Sequence, residues 1–360
     1  RVALYELLYT DADVHATVFE FVNLAKKLGH RGVASLVNAV LRGFLRDRPA
    51  EPDPPAFESE DEFLATRESY PTWLVRQWRG VFGERVEEIC KACNRPARTA
   101  IVVDASRSAP SEVADELRAA GVAARPSEIV AESLVIEGGA HELMALAKDG
   151  APWWLQSESS AMPVDVLNPQ PGESVLDACS GRGNKALQIG GRLAGEGTLI
   201  CIDRDPRKTA VLTARLEAAG QGAGVVTGDA TAELFDPQQR FDRILVDAPC
   251  SGLGVVGRHA EARWKKQGTD GERLAITQRA ILERLGRQVH PGGVLVYAVC
   301  STDPRETTEV VDWFVARENF ARGLIPAAYT DFLTGAGDVL VPPGIEGRDG
   351  FFIARLERGA

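Results

Sequence analysis

Two cysteines stand where apolar, β-rich segments end. The segments read ILVDAPCSG at 244–252 and VLVYAVCST at 294–302, which places Cys250 and Cys300 just after the apolar runs. A buried parallel strand typically shows this pattern, a short apolar run that gives way to small polar residues. Open α/β folds bind their ligands at the carboxyl ends of such strands, and a thiol there can attack an electrophile. The pair therefore predicts a site of nucleophilic chemistry.

The alternative interpretation is that both cysteines belong to a packed core. Free cysteine is among the most buried residue types, so an isolated cysteine at a strand end is usually structural. The flanking residues DAP before Cys250 and YAV before Cys300, with Ser and Thr behind, carry acid, ring and hydroxyl groups. A packed core would use apolar volume at these positions, so the flanks favour a functional site.

A glycine-rich turn follows an earlier strand, in DACSGRGNKALQIGG at 177–191. Such a turn between strand and helix lets the backbone approach a ligand and aims helix N–H groups at it. Gly181, Gly183 and Ala186 match the dinucleotide-binding pattern, and Asp203 ends the second strand where a ribose-binding acid belongs. An NAD-dependent dehydrogenase is therefore one possible function.

Two further acids favour a different cofactor. Asp229 follows the third strand in VVTGDA, and Asp247 follows the fourth in ILVDAP. A single aspartate at a strand end is more often a helix cap or turn former. Three in succession, beginning with Asp203, suit a nucleoside: one for the ribose hydroxyls, one for the adenine edge, one near the reacting end. Together with the glycine turn they favour S-adenosylmethionine, as in class I methyltransferases.

The elements that carry these residues follow from the hydrophobic pattern. Residues 1–48 show helical periodicity, 49–62 form an acidic, proline-rich linker, and 63–150 read as a small α+β module. From 151 to 360 strands alternate with helices, which predicts a doubly wound, mostly parallel sheet. The last apolar segment, GFFIARLER at 350–358, is predicted to be an antiparallel edge strand.

Composition limits which partners, metals and cellular locations are expected. The 360 residues carry a net charge of −10 at pH 7, which argues mildly against a broad polyanion-binding surface. Two basic segments remain candidates for local contacts: 25–32 with Arg42, Arg46 and Arg48, and 257–266. Cys90 and Cys93 form a C-x-x-C within a predicted helix without further ligands, so we expect no metal site. Few cysteines and no long apolar run predict a cytoplasmic, monomeric protein without a membrane segment.

The chain resembles a known family over nearly all its length, the Sun-type RNA (cytosine-C5) methyltransferases, and within it the RsmB-like enzymes of small-subunit ribosomal RNA. The combination of DAPCSG with C-S-T is highly specific for this family. The opening region, with KKLGHRGVASLVNAVLRG at 26–43, resembles the end of a NusB-like RNA-binding domain, of which the chain would have a truncated form. The other matching segments are WWLQSESS, DACSGRGNK, CIDRD, GDA, RHAEARW, DPRETTEVV and DGFFIARL.

The resemblance implies a class I, Rossmann-like S-adenosylmethionine-dependent methyltransferase acting on RNA, with ribosomal RNA as the expected partner. Cys300 would add to C6 of cytosine, and Cys250 would assist removal of the C5 proton. Asp247 would bind the N3/N4 edge, and Lys185 would help to hold the thiolate. The implied cofactor-binding residues are Cys179, Ser180, Gly181, Arg182, Gly183, Asn184, Lys185, Asp203, Arg204, Asp229, Ala230, Asp247 and Pro249.

The chain departs from the family pattern in two places. Where the family has A-A-P-G-G-K, residues 180–185 read SGRGNK; because Asn tolerates a left-handed backbone, we expect Asn184 to preserve the turn. The family's R-x-N falls on Val102-Val103-Asp104, which removes an arginine and an amide. These departures leave a second possibility, an inactive RNA-binding or ribosome-assembly paralogue with the same fold.

Overall fold

The structure, a computed structural model, describes residues 1–47, 57–148 and 150–360. The chain forms two compact units, Arg1–Phe63 and Leu64–Ala360. Most of the linker predicted at 49–62 lies outside the described residues, up to residue 56. The remainder is partly helical, because helix Glu60–Glu68 begins inside it.

The first unit is helical, as its periodicity predicts. Its helices are α1 (Val2–Tyr9), α2 (Val14–Leu28) and α3 (Arg31–Asp47), followed by the start of α4 (Glu60–Glu68). Asp13 caps α2, since its carboxylate accepts a hydrogen bond from the Ala16 backbone N–H at 2.8 Å. The buried core of α1–α3 is small and consists of Ala3, Val18 and Leu41.

The second unit opens with helices and a small antiparallel sheet of strand order β2-β3-β1-β4. Trp78 of α5 is fully buried, and its indole N–H donates to the Thr302 hydroxyl at 2.9 Å. This bond joins the module to the residues next to Cys300. The elements are α5 (Thr72–Phe82), α6 (Val86–Ala92), β1 (Thr99–Val103), α7 (Pro110–Ala119), β2 (Ala123–Pro126), β3 (Ser133–Gly138), α8 (Ala140–Leu146) and β4 (Trp153–Leu155).

A larger mixed sheet follows, in the order β10-β12-β9-β8-β5-β6-β7, with β11 paired to β12. The strands from β9 to β7 are parallel to one another. Helices α9, α10 and α11 pack on one face, and α13 and α14 on the other. The elements are α9 (Glu158–Leu167), β5 (Ser174–Ala178), α10 (Asn184–Leu193), β6 (Thr198–Asp203), α11 (Pro206–Ala219), β7 (Gly224–Thr227), β8 (Phe241–Asp247), α12 (Ala262–Lys265), α13 (Asp270–Gly286), β9 (Val289–Val299), α14 (Thr308–Val315), β10 (Phe320–Arg322), β11 (Val339–Val341) and β12 (Phe351–Arg358).

The doubly wound, mostly parallel fold predicted from the strand–helix alternation is confirmed, but the position of the last strand is corrected. β12 is antiparallel as expected, yet it lies between β9 and β10 and is not an edge strand. Its side chains explain the position, because Phe352 and Ala354 are buried on one face and Phe351 and Ile353 on the other. A strand that is apolar on both faces belongs in the interior of a sheet.

The sheet has a topological switch point beside β5. The chain runs from β5 outward to β6 and β7 and then returns to β8 on the other side of β5. Ala178 pairs with Val246, and Asp247 pairs with Ala298, so the carboxyl ends of β5, β8 and β9 are adjacent. Ligands of open α/β folds bind in the crevice at this kind of position.

Candidate active site

The two predicted cysteines lie side by side. The Sγ atoms of Cys250 and Cys300 are 3.3 Å apart, and both residues are partly buried free thiols. The two sulfur atoms are close because β8 and β9 are adjacent, with Asp247 paired to Ala298. Each cysteine follows the end of its strand by no more than three residues. The hydrogen bond to Cys300, together with burial, raises the pKa of the Cys250 thiol well above its usual range. Cys250 therefore keeps its proton in the free protein, and either thiol can be the donor of the hydrogen bond between them.

Lys185 binds the acid at the end of β8. Its Nζ lies 2.6 Å from Asp247 Oδ2 and 3.0 Å from Ser160 Oγ, and it stands 5.5 Å from the centre of the Phe351 ring. The sequence interpretation placed the lysine charge beside the thiolate, whereas its hydrogen bonds go to a carboxylate and a hydroxyl. Ser160 was not singled out beforehand, although it lies in the family segment WWLQSESS.

The glycine-rich turn adopts a left-handed backbone at Cys179 (φ +65°), Gly181 (φ +61°) and Gly183 (φ +91°). A Cβ on Gly183 would lie 2.4 Å from Leu212 Cδ1, so another residue there would have to displace a buried leucine and adopt a left-handed backbone. The Gly181 N–H donates to Asp203 Oδ2 at 2.9 Å. The turn is thereby fixed against the end of β6.

The role expected for Asn184 is wrong in one respect. It is the first residue of α10, and the left-handed position is that of Gly183 before it. The Asn184 side chain instead links elements, because Nδ2 donates to the Leu155 carbonyl at 3.1 Å and Oδ1 accepts from Arg215 at 2.6 Å. Arg215 also donates to the Arg182 carbonyl at 2.8 Å. Arg182 and Asn184, which stand where the family has a proline and a glycine, are therefore both held by one arginine.

Three cavities meet at Asp247. The first, of about 290 Å³, contains the ends of β6, β7 and β8. The second, of about 450 Å³, lies along the glycine-rich turn, and the third, of about 530 Å³, contains Cys300. The first is lined by Cys179, Gly181, Ile202, Asp203, Arg204, Lys208, Gly228, Asp229, Ala230, Asp247, Pro249, Thr277 and Ile281. Ser180, Arg182, Asn184 and Lys185 line the second, and Lys185, Arg258 and Phe351 are among the residues lining the third.

These cavities collect nearly all of the residues singled out from the sequence. Two stand apart: Gly183 packs behind the turn on Leu212, and Cys250 lies against Cys300 without lining a cavity described above. Thr277 and Ile281 of α13 line the first cavity and were missed, since the sequence shows them only as part of an amphipathic helix. Asp247, which lines all three cavities, separates a nucleoside-sized space from the space around the sulfur.

Asp177 was missed; it is the last residue but one of β5, whereas Asp203 and Asp247 end their strands. It is completely buried, and neither carboxylate oxygen has a hydrogen-bond partner. Burial raises the pKa of Asp177 to about 7; the charge of Lys185 opposes this shift, and that of Asp247 adds to it. Because the residue lines the second cavity, its unsatisfied carboxyl group is suited to a ligand that carries a positive charge.

The acids after β6 and β7 differ in their surroundings. Asp203 is buried, and its second oxygen, Oδ1, accepts from the Asp205 N–H at 2.9 Å. Asp229 is exposed, and Oδ1 accepts from the backbone N–H and the hydroxyl of Thr231 at 2.9 and 2.7 Å. These two bonds lower the pKa of Asp229 below its usual value. Asp229 thus remains an ionised acceptor for hydroxyl or amine donors.

Asp104, where the family has the amide of R-x-N, serves the scaffold. Its buried carboxylate accepts from Gln221 Nε2 at 2.9 Å and from the Ser106 hydroxyl at 2.6 Å. It does not line the cavity that contains Cys300. Val102 and Val103 are buried strand residues of β1, so the three residues at the R-x-N position offer no polar side chain to that cavity, although Thr99 of the same strand lines it.

Cys90 and Cys93 lie in a helical core beside Leu253 and Val256. Burial raises the pKa of each thiol to about 12, which keeps both protonated. In the described parts of the chain, no group of three or more His, Cys, Asp or Glu residues is arranged to hold a metal ion. Over the same residues, the structure contains no helix with the length and apolarity needed to span a bilayer.

Comparisons with known proteins agree with this geometry. Residues 164–357 match the family 16S rRNA methyltransferase RsmB/F, residues 70–141 its ferredoxin-like domain, and residues 1–46 the NusB family. The probable ribosomal RNA small subunit methyltransferase B of Bacillus subtilis is 31% identical over 369 residues, covering 99% of this chain and 81% of that protein. The enzyme of Vibrio cholerae is 33% identical over 362 residues, covering 99% and 80%.

Solved structures agree as well. The crystal structure of PH0851 superposes with a TM-score of 0.84 at 26% identity, covering 99% of this chain and 81% of that one. NSun6 from Pyrococcus horikoshii, solved with SFG, has the same fold at 19% identity and a TM-score of 0.71, covering 81% and 99%. These matches argue against the dehydrogenase considered from the glycine pattern. The chain belongs to the 16S rRNA methyltransferase RsmB/F family.

Proposed function

We propose that this protein transfers a methyl group from S-adenosylmethionine to C5 of a cytosine in 16S ribosomal RNA. The observation that carries the proposal is the pair of sulfur atoms, Cys250 and Cys300, 3.3 Å apart at the sheet edge that also holds a nucleoside-sized cavity. Asp247 lines both that cavity and the one around Cys300. This arrangement suits methyl transfer to a pyrimidine that must first be activated by a nucleophile.

The residues of the first two cavities fit this cofactor. Asp203 and Asp229 offer carboxylates to ribose and adenine donors, and the unpartnered Asp177 offers one to a cationic group. The turn from Cys179 to Gly183 lets its backbone approach a ligand closely. When bound, S-adenosylmethionine supplies an electrophilic methyl group; every other requirement of the reaction falls on side chains of this chain.

Cytosine C5 is a poor nucleophile until a group adds to C6. The Cys300 thiolate adds to C6, which makes C5 electron-rich and able to accept the methyl group. Asp247 accepts hydrogen bonds from the N4 amine and from protonated N3, and Lys185 holds this carboxylate in place. Once Cys300 is bonded to C6, its hydrogen bond and its charge no longer raise the pKa of Cys250, and the Cys250 thiol releases its proton to water. The Cys250 thiolate then takes the C5 proton, and the electrons of that bond re-form the C5–C6 double bond as the Cys300 thiolate leaves.

We propose the following organisation for binding RNA: a NusB-like domain at 1–48, a linker at 49–62, the α+β module at 63–150, and the catalytic domain at 151–360. A base must be unstacked to enter a cavity of this kind. Arg258, which lines the cavity of Cys300, is placed to contact the nucleotide or its backbone. The enzyme acts as a monomer in the cytoplasm, where its RNA substrate is made.

The test uses labelled S-adenosylmethionine, ribosomal RNA that lacks the modification, and bisulfite mapping of the product. We expect wild type to methylate one cytosine position, Cys300→Ser to lose activity by at least about 10³-fold, and Cys250→Ala to accumulate a covalent RNA adduct on a denaturing gel. Full turnover by Cys300→Ser contradicts the assignment of the nucleophile. RNA binding by wild type without methyl transfer indicates an assembly factor instead.

A further inference from the structure

A buried carboxylate joins two turns of the site. Glu306 ends the short turn Pro304–Glu306, and its side chain is inaccessible to solvent. Oε1 accepts from the Ser251 backbone N–H at 2.8 Å and from Gln278 Nε2 at 3.1 Å. Oε2 accepts from the Ser301 hydroxyl at 2.6 Å and also from the Ser251 hydroxyl. Four neutral donors thus satisfy one buried carboxylate.

The partners of Glu306 are the residues that follow the two cysteines. Ser251 comes directly after Cys250, and Ser301 directly after Cys300. The two serine hydroxyls are themselves 3.0 Å apart, and the two sulfur atoms are 3.3 Å apart. Each sulfur is therefore one residue away from a group that binds the same carboxylate, although 50 residues separate the two turns in the chain.

A buried charge at Glu306 is unfavourable if the residue serves only to link the two turns. Taking a carboxylate out of water is unfavourable, and a neutral amide of the same shape can make hydrogen bonds to the same groups. The negative charge has an effect on chemistry, however. After the hydrogen bond to Cys300 and burial, the nearby charges of Glu306 and Asp247 add to the rise in the pKa of Cys250.

We propose that Glu306 is a positioning residue for the two cysteines: it binds Ser251 and Ser301 together and so keeps Cys250 and Cys300 in contact. The inference rests on the proposed function, in which one sulfur forms a bond to cytosine and the other completes its release. A shift of about 1 Å in either turn is enough to reduce such a step by about 100-fold. Glu306 itself does not touch the reacting atoms.

The experiment compares Glu306→Ala and Glu306→Gln with wild type in two assays. Alkylation by iodoacetamide at pH 8, followed by peptide mass spectrometry, reports the relative reactivity of Cys250 and Cys300 without any substrate. We expect Cys250 to react several-fold faster in both variants, because the adjacent negative charge is gone.

The second assay is methyl transfer. We expect Glu306→Ala to lower kcat by about 100-fold and to leave the KM for S-adenosylmethionine within about 2-fold of wild type. A larger fraction of the RNA should remain in the covalent adduct. Glu306→Gln recovers most of the loss, because its amide oxygen still accepts from the Ser251 N–H and Gln278 and its NH2 can donate to the two serine hydroxyls.

Asp303 provides the matched control. It is a buried carboxylate of the same turn, but its side chain binds Arg305 at 2.6 Å and not the serines. Asp303→Asn should lower the unfolding temperature while leaving the alkylation ratio and the adduct fraction as in wild type. The proposal is overturned if both Glu306 variants match Asp303→Asn in these two measurements. If the alkylation ratio responds to Glu306 while wild type transfers no methyl group, the positioning role stands and the proposed function fails.

Discussion

Beside the glycine-rich turn, Lys185 lies between two acids: it binds Asp247 at 2.6 Å, and its charge opposes the rise in the pKa of Asp177. One lysine faces two carboxyl groups here, and that of Asp177 has no hydrogen-bond partner. A ligand that brings positive charge relieves the desolvation of that group. S-adenosylmethionine carries a sulfonium and an ammonium, so its charge complements the site.

This arrangement makes cofactor binding depend on pH. Because the pKa of Asp177 is about 7, the carboxyl group is largely protonated at pH 6 and largely ionised at pH 8. We expect the Kd for S-adenosylmethionine to fall by up to about 10-fold between these values, as the ionised form binds a cation more tightly. Asp177→Asn should bind more weakly at pH 8 and show a flat profile in calorimetry. Adenosine, which has no ammonium, is the control ligand. A flat profile in wild type contradicts the assignment.

The same group affects stability in the absence of ligand. Its pKa rises from 3.8 to about 7 on folding, so between these values the folded state holds a proton that the unfolded chain releases. Asp177 therefore favours the folded state below about pH 4, and this contribution is lost as the pH rises toward 7. The Asp177→Asn variant should lack that part of the slope, which ties the binding profile to this residue.

Among the elements, the turn between β5 and α10 depends most on its glycines. Gly183→Ala places a Cβ 2.4 Å from Leu212 Cδ1 at φ +91°, whereas a Cβ on Gly181 meets nothing within 4 Å at φ +61°. We expect Gly181→Ala to cost about 1 kcal/mol of unfolding free energy from backbone strain alone. Gly183→Ala should cost on the order of 2–4 kcal/mol and weaken cofactor binding, because overpacking adds to the strain. Urea unfolding measures both, and equal costs contradict the packing argument.

The sequence predicts where helices and strands begin and end better than it predicts which elements pack or pair with one another. Apolar runs that stop at Asp203, Asp247 and Cys300 place the strand ends correctly, because burial and turn chemistry are local. The run FFIA at 351–354 is apolar on both faces and is compatible with the interior position of β12, but the identity of its neighbours, β9 and β10, depends on pairing that a single segment does not encode. Glu306 was missed for a similar reason: its turn resembles an ordinary solvated turn, and its partner Ser251 is 55 residues away in the chain.

The whole molecule combines an acidic composition with a proposed RNA substrate. A net charge of −10 gives no general attraction to phosphate, so affinity has to come from local basic groups. In the first unit, Lys26 of α2 and Arg42 of α3 are exposed and line one groove of about 540 Å³. This groove is our candidate for backbone contacts by the NusB-like helices.

We expect Lys26→Glu/Arg42→Glu to weaken ribosomal RNA binding and to make it less sensitive to salt. Each phosphate contact contributes about 0.7 to the slope of log affinity against log salt for single strands, so losing two lowers the slope by about 1.4. Filter binding from 50 to 300 mM salt measures the slope. Arg118→Glu, on the exposed face of α7, is the control, with a side chain that is 67% exposed and pairs locally with Asp115. An unchanged slope in the double variant, or an equal change in the control, means that the RNA contacts lie on another surface. The next surface to test is the basic segment 257–266, whose Arg258 lines the cavity that contains Cys300.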